Sequence, residues 1–373
     1  MPPRERPPFR AEHVGSLLRP PQLLAARARV RAGELGAADF ALLADAAIRE
    51  AVAQQERIGL RAVTDGEFRR DSWSLDFLKQ FANVVVSRSP VKVSFHTEEG
   101  DIDRPPSALS VAGKISRPRP IFVAGFEFLR SVAKSVPKVT VPSPSMLHFR
   151  GGRASVDRSA YPDIEEFYAD LARAYAAEVA DLASAGCRYL QIDEVNFAYL
   201  CDPAFREEAR RIGEDPEALP HTYARLINAA IAARPADMTV GMHLCRGNFE
   251  SAWLASGGYA PVAETLFNEI DVDGYFLEYD SPRAGDFSPL KLVPKGKTVV
   301  LGLVTTKGGA LERADDLKRR IDEAARELPL EQLALSPQCG FASAGRGNRL
   351  TAEQQWAKLE LIVEVAREVW GDT

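Results

Sequence analysis

The sequence is poor in cysteine: Cys187, Cys201, Cys245 and Cys339 are the only four in 373 residues. So few thiols in so long a chain exclude a disulfide scaffold. No apolar run reaches about eighteen residues, which excludes a transmembrane helix. There is no excess of positive charge. The 47 Lys and Arg stand against 52 Asp and Glu, a formal net charge of −5, and a dedicated nucleic-acid binder carries the opposite balance. The opening residues, MPPRERPPFRAEHVGS, contain no apolar core of a secretory signal, so the expected location is cytoplasmic, with reduced thiols. What is present is ordinary for a globular chain, 46% hydrophobic and 27% charged, and this excludes a disordered or fibrous protein. The length allows two medium domains or one α/β barrel with insertions. The order of elements decides between them.

Eight short runs rich in β-branched or aromatic residues recur along the chain, at 13–16, 62–67, 138–144, 189–194, 239–245, 274–280, 298–304 and 333–340. Most end in a turn signal, as buried parallel strands do. Amphipathic helical patterns lie between them, including 41–58, 163–182 and 351–370, the last opening with Thr351 and Gln354 in capping-box spacing. Eight strand–helix units predict a single α/β domain over 1–373, a (β/α)8 TIM barrel. A doubly wound open sheet is the alternative, but no Gly-rich phosphate loop follows the first run. Residues 84–115 break the rhythm and read as a β-hairpin or small antiparallel extension inserted at about 84–117, after the second strand. Such an insertion suits either a cover over the barrel mouth or a subunit contact. The charged stretch 204–220 reads as a solvated helix and loop.

In a barrel the chemistry sits where strands end. Side chains alternate faces along a strand, so His243 and Cys245 in VGMHLCRGN point the same way. An imidazole beside a thiolate is a natural zinc ligand pair, although a core cysteine beside a satisfied histidine gives the same string. Two further strand ends favour the metal. Glu278 in YFLEYD and Cys339 in LSPQCGF belong at the same mouth and complete a set of one nitrogen, two sulfurs and one oxygen. Soft thiolates select zinc over magnesium or calcium. Cys187, at the start of a strand, and Cys201, in a loop, read as structural. Ser16, Glu67 and Asp193 end three other strands. Carboxylates there suit a cationic group such as a substrate ammonium. The alternatives are a salt bridge from Glu67 to Arg69 or Arg70, and a helix N-cap at Asp193.

The strings EHVGSLLRP, TDGEFRRDSW, QIDEVNFAYL, HLCRGN, YFLEYD and SPQCGFAS together resemble the catalytic domain of cobalamin-independent methionine synthase, and best its short single-domain relatives. The resemblance runs from about residue 11 to 370. It implies a (β/α)8 barrel, a zinc ion on His243, Cys245, Glu278 and Cys339, and homocysteine lying against Ser16, Glu67 and Asp193. It implies transfer of a methyl group from a methylated pterin to the homocysteine thiol. The full-length enzyme has a second, N-terminal barrel, for which 373 residues leave no room. Two departures stand out. The family stacks its pterin on a Trp after the third strand, where this sequence has TVPSPS and Pro144. It has a proton-donating His after the seventh, where this sequence has LGLVTTK and Lys307. They leave the zinc and thiol half of the site intact and change the folate half. Short relatives of this kind also use other thiols or alkyl donors, including epoxide addition to a sulfonated thiol.

The expected partners are therefore small molecules, a thiol and a methyl donor, with no nucleic acid and no membrane. An oligomer is compatible with the sequence. The expected activity is an S-methyltransferase making methionine, with alkyl transfer to another thiol, or from an epoxide or methylcobalamin, as the alternative. Lys307, His148 and His13 are the candidate proton sources for the leaving group, the two histidines being equally readable as bystanders. A structural or sensory zinc is the non-catalytic alternative. Such sites usually draw on ligands close in sequence, whereas these come from three separate strand ends.

Overall fold

The computed structural model describes residues 4–88, 93–97, 100–104, 107–345 and 347–373. Among the described residues there are twelve strands: β1 (Ala62–Val63), β2 (Val84–Arg88), β3 (Val93–Thr97), β4 (Gly100–Arg104), β5 (Ser107–Val111), β6 (Val136–Pro137), β7 (Val139–Pro142), β8 (Tyr189–Glu194), β9 (Thr239–Leu244), β10 (Gly274–Glu278), β11 (Thr298–Val304) and β12 (Leu333–Pro337). Strands β7 to β12 form one six-stranded parallel sheet in sequential order. The chain is thus an α/β protein with helices in the connections. β10 and β12 end earlier than the apolar runs, which leaves Cys339 in a loop just past its strand.

Backbone bonds continue from both edges of this sheet. On one side β6 pairs in parallel with β1. On the other, Glu12 N donates to Leu335 O at 2.9 Å and Leu335 N donates to Arg10 O at 2.9 Å. The run at 13–16 is not a strand. The bridge to Leu335 lies before it, at Ala11, and within the run a partner is a side chain: Thr64 Oγ1 donates to Gly15 O at 2.6 Å. Gly15 is left-handed (φ 143), and a Cβ there would lie 2.7 Å from Thr140 Cγ2, so no larger residue fits this crossing. Residues from β1, β8, β10, β11 and β12 (Ala62, Tyr189, Phe276, Val300 and Ala334) meet Phe9 and Val14 in one small core. The larger core lies between the sheet and the helices.

The helical patterns resolve into Ala37–Ile58, Ile164–Ser184 and Ala352–Trp370. The last begins with a reciprocal capping box. Gln354 N donates to Thr351 Oγ1 at 3.2 Å, and Thr351 N donates to Gln354 Oε1 at 2.8 Å. Thr351→Ala is expected to cost about 1 kcal/mol, measured as a lower urea midpoint with an unchanged slope. Within 84–115, β2 pairs with β5 and β3 with β4, both antiparallel and outside the parallel sheet. The joining residues 89–92, 98–99 and 105–106 lie outside the described residues. The stretch 204–220 begins within a helix, Pro203–Arg211. No helix among the described residues is long and apolar enough to cross a membrane.

Candidate metal and thiol site

His243 lies on β9, and Cys245 follows that strand directly, with its N–H donating to Glu194 O at 3.0 Å. Cys339 follows β12 across the sheet. The three side chains converge, with ligand atoms all within 4.8 Å of one another. The two sulfurs are 3.4 Å apart. That contact holds the Cys339 thiol well below its usual range and pushes Cys245 up, so the pair favours one thiolate and one thiol. Both ring nitrogens of His243 are buried with no nitrogen or oxygen partner among the described residues, and the ring interacts with the Cys339 sulfur. Buried imidazole nitrogens without partners are costly in an apo core. Beside two cysteines they fit a soft divalent metal, and zinc is the best match to this donor set.

Glu278 is the last residue of β10, but its carboxylate is outside that three-residue group. Oε1 accepts from Arg246 N at 2.8 Å, and the Tyr259 hydroxyl accepts from Glu278 N at 2.9 Å. Oε2 is buried without a hydrogen bond, 3.7 Å from Arg283. Glu278 is therefore fixed by its backbone and by one oxygen, and the other oxygen is held only by the longer ion pair with Arg283.

Ser16, Glu67 and Asp193 line the same cavity of about 420 Å³ as His243, Cys245 and Cys339. A tight turn aims Glu67. Its φ is 60°, uncommon for a non-glycine residue, and Asp65 Oδ1 accepts its N–H at 2.9 Å, the turn chemistry that Asp provides. Leu17 N donates to Gly66 O at 3.1 Å, which ties this turn to Ser16. Glu67 Oε1 accepts from Thr140 Oγ1 at 2.9 Å and lies 3.4 Å from Arg70; Oε2 is buried without a partner. The salt bridge to Arg70 thus coexists with a free carboxylate oxygen. Burial raises the Glu67 pKa, and burial also pushes Asp193 up to about 7. Asp193 does not cap the following helix. Glu194 does, accepting from Asn196 N and, at 3.2 Å, Phe197 N. Asp193 shares a strand face with Gln191, which donates to it at 2.7 Å. Gly340 completes this corner, since a Cβ there would sit 2.0 Å from Ser16 Oγ.

The three proton-source candidates separate. His148 lines the cavity. Its Nδ1 is 2.9 Å from the Tyr223 hydroxyl and its Nε2 is 3.5 Å from Glu214, and burial lowers its pKa. Lys307 is not among the lining residues; its Nζ donates to Gly247 O at 3.3 Å. His13 is fully buried away from the cavity, and burial followed by the Lys138 charge holds its pKa well below the usual range. Cys187 is buried, donating to Tyr189 O at 3.4 Å, and Cys201 is buried, donating to Phe197 O at 3.4 Å.

Much of the cavity lining is apolar. Trp73, Leu75, Phe95, Leu109, Met146 and Phe249 belong to it. Sequence reasoning missed these as site residues. They come from distant segments, and a lone aromatic in a loop carries no periodic signal.

Residues 9–368 match the family described as cobalamin-independent synthase, catalytic domain. The chain belongs to this family. The uncharacterized protein YxjH of Bacillus subtilis is 45% identical over 369 residues, covering 98% of this chain and 96% of that protein. The 5-methyltetrahydropteroyltriglutamate–homocysteine methyltransferase of Acidithiobacillus ferrooxidans is 24% identical over 371 residues, covering 97% of this chain but 42% of that protein. Among solved structures, a Listeria monocytogenes protein described as a candidate vitamin-B12 independent methionine synthase is 37% identical, with a TM-score of 0.78 and coverage of 99% of this chain and 100% of that one. A B12-independent methionine synthase from Shewanella, solved with selenomethionine, shares the fold at 20% identity and a TM-score of 0.71, covering 96% and 97% of the two chains. Within this cobalamin-independent synthase family, the His243, Cys245 and Cys339 group is this chain's candidate metal site.

Proposed function

We propose that this chain is a zinc-dependent thiol methyltransferase on a single-domain (β/α)8 barrel, moving a methyl group from 5-methyltetrahydrofolate or another methyl donor to homocysteine to give methionine. One observation carries the reading: a soft ligand set and an acidic corner open onto the same cavity. The backbone bonds that continue from both edges of the six-stranded sheet support the barrel. Four free cysteines suit a reducing, cytoplasmic setting.

His243, Cys245 and Cys339 would hold the zinc, with Glu278 as the fourth candidate. Bound there, zinc supplies the acidity that keeps a substrate thiol as thiolate at neutral pH. The chain's own residues do the rest. Glu67 and Asp193 receive the substrate ammonium, with Ser16 beside them. The apolar lining residues exclude water from the reacting carbon. His148 is the proton source on the cavity side, linked to Glu214; Lys307 is the second candidate, and His13 is screened from the reaction.

A second reading keeps the zinc and changes the donor or the thiol: an alkyltransferase acting on another thiol, or using an epoxide or methylcobalamin. Pro144 favours it. It is buried in a short helical turn, Pro144–Leu147, in the place where the resembling enzymes stack a pterin on Trp. Product analysis with homocysteine and other thiols, against 5-methyltetrahydrofolate, methylcobalamin and an epoxide, separates the two. Alkylation of none of the thiols would refute both. Thiol-induced change in zinc X-ray absorption separates catalysis from a structural zinc, which would show none.

Asp193→Asn tests the acidic corner. Losing a charged partner to an ammonium costs about 1.5–3 kcal/mol. The expected result is a rise in homocysteine KM of roughly 10- to 100-fold, with zinc content unchanged. A thiol lacking the amino group should show no such penalty.

A further inference from the structure

The antiparallel segment after β1 does more than decorate the fold. β3 exchanges backbone bonds with the loop after β9: His96 N donates to Trp253 O at 2.7 Å, and Trp253 N donates to His96 O at 2.9 Å. This two-way exchange is that of an antiparallel ladder. One residue earlier, the Phe95 ring packs on Phe249 with centroids 5.2 Å apart. The loop it meets begins directly after Cys245 and is tightly held. Phe249 and Ala252 exchange backbone bonds at 3.0 and 2.9 Å around Glu250 and Ser251, whose φ values are 48° and 76°. Ser251 N donates to Asn348 Oδ1 at 3.0 Å, and Asn248 Nδ2 donates to Gly340 O at 2.8 Å. Left-handed non-glycine residues persist only where the surroundings enforce them. The segment is anchored at its base too, with Asp157 N donating to Val111 O at 2.9 Å.

Phe95 on β3 and Leu109 on β5 both line the cavity, among its apolar lining residues. We propose that Phe95 and Leu109 are specificity-determining residues that form the wall against which the alkyl donor packs. The inference rests on the thiol alkyltransferase reading and assigns the donor-facing wall of its cavity to β3 and β5. Carbon surfaces on this wall make it costly to bury a charge next to the reacting carbon. The wall therefore selects donors whose alkyl group is carried on an uncharged, apolar or ring-bearing face, and charged parts lie toward the rim, where Arg150 is exposed.

The test is calorimetric binding of 5-methyltetrahydrofolate and of methylcobalamin to the zinc-loaded protein with homocysteine present, for the parent chain, Phe95→Ala, Phe95→Leu and Leu109→Ala. Truncating one apolar wall residue is expected to weaken the bound donor about tenfold or more. Phe95→Leu should recover most of the loss, and homocysteine affinity should stay unchanged. Unchanged donor affinity in both alanine variants would overturn the proposal. So would equal losses of donor and homocysteine affinity, or a parent chain that binds neither donor. Circular dichroism identifies a variant that fails to fold, and Leu109→Ala, on the other antiparallel pair, then decides. A separate transfer assay reads the enzyme reading itself: donor binding without transfer would refute the activity and leave the wall assignment standing.

Discussion

Cys339→Ser is expected to release the metal and lower kcat/KM for thiol alkylation by about 10³-fold or more, since a catalytic metal contributes several kcal/mol to its reaction. The substitution is close to isosteric, and Cys339 is only 4% exposed, so little packing is lost. What changes is the ligand. A serine hydroxyl stays protonated at neutral pH, whereas the Cys339 thiol, 3.4 Å from Cys245 Sγ, is held well below its usual range by that contact. Without Cys339 the site keeps one imidazole and one thiol, and even with Glu278 as a third ligand it falls short of a tetrahedral set. Metal content by emission spectroscopy and transfer rate should fall together. Cys187→Ser is the control: that thiol is pushed up to about 12 by burial, faces the start of β8, and should keep full metal content. Full activity in metal-depleted Cys339→Ser would remove the basis of the proposal.

The sulfur half of the site was legible because strand alternation is a local rule. His243 on β9 and Cys245 just past its end, two residues apart, must share a face, and the end of β12 had to bring Cys339 to the same height. The same rule misleads where the backbone is not a strand. The sequence makes His13 a candidate proton source beside the first strand end, but residues 13–16 form no strand, the bridge to β12 lies before them at Ala11, and His13 is buried away from the cavity. Glu278 is on the expected strand end, but one carboxylate oxygen is taken by Arg246 N, a contact set by the loop. The cap on Glu194 in place of Asp193 follows from face: one of two adjacent acids points inward and the other reaches the helix start. The apolar wall was hidden for a different reason. Trp73, Phe95, Leu109 and Phe249 meet through chain segments whose mutual placement no local pattern encodes.

Lys138→Met is expected to destabilise the fold by about 3–5 kcal/mol while leaving metal content unchanged. Lys138 and Glu12 form an ion pair at 3.1 Å with both side chains 0% exposed. It sits at the start of β7, whereas the candidate metal ligands sit at strand C-termini. Glu12 is held by more than the lysine. Its Oε1 accepts from the Tyr189 hydroxyl at 2.9 Å and from Phe9 N at 3.0 Å. Lys138 also donates to His13 O, and its Nζ lies 5.2 Å from the Tyr189 ring and 4.8 Å from that of Phe276. Burial pulls the Lys138 pKa down, and Glu12 opposes that shift. Removing only the lysine leaves a buried carboxylate without its counter-ion, which costs more than the pair itself contributes. The double variant Glu12→Gln with Lys138→Met removes both charges and should recover part of the loss. A double-mutant cycle in urea measures the coupling. Additive losses would mean that each residue acts through packing alone, and that the pair does not hold the N-terminal segment, through Glu12, to β7.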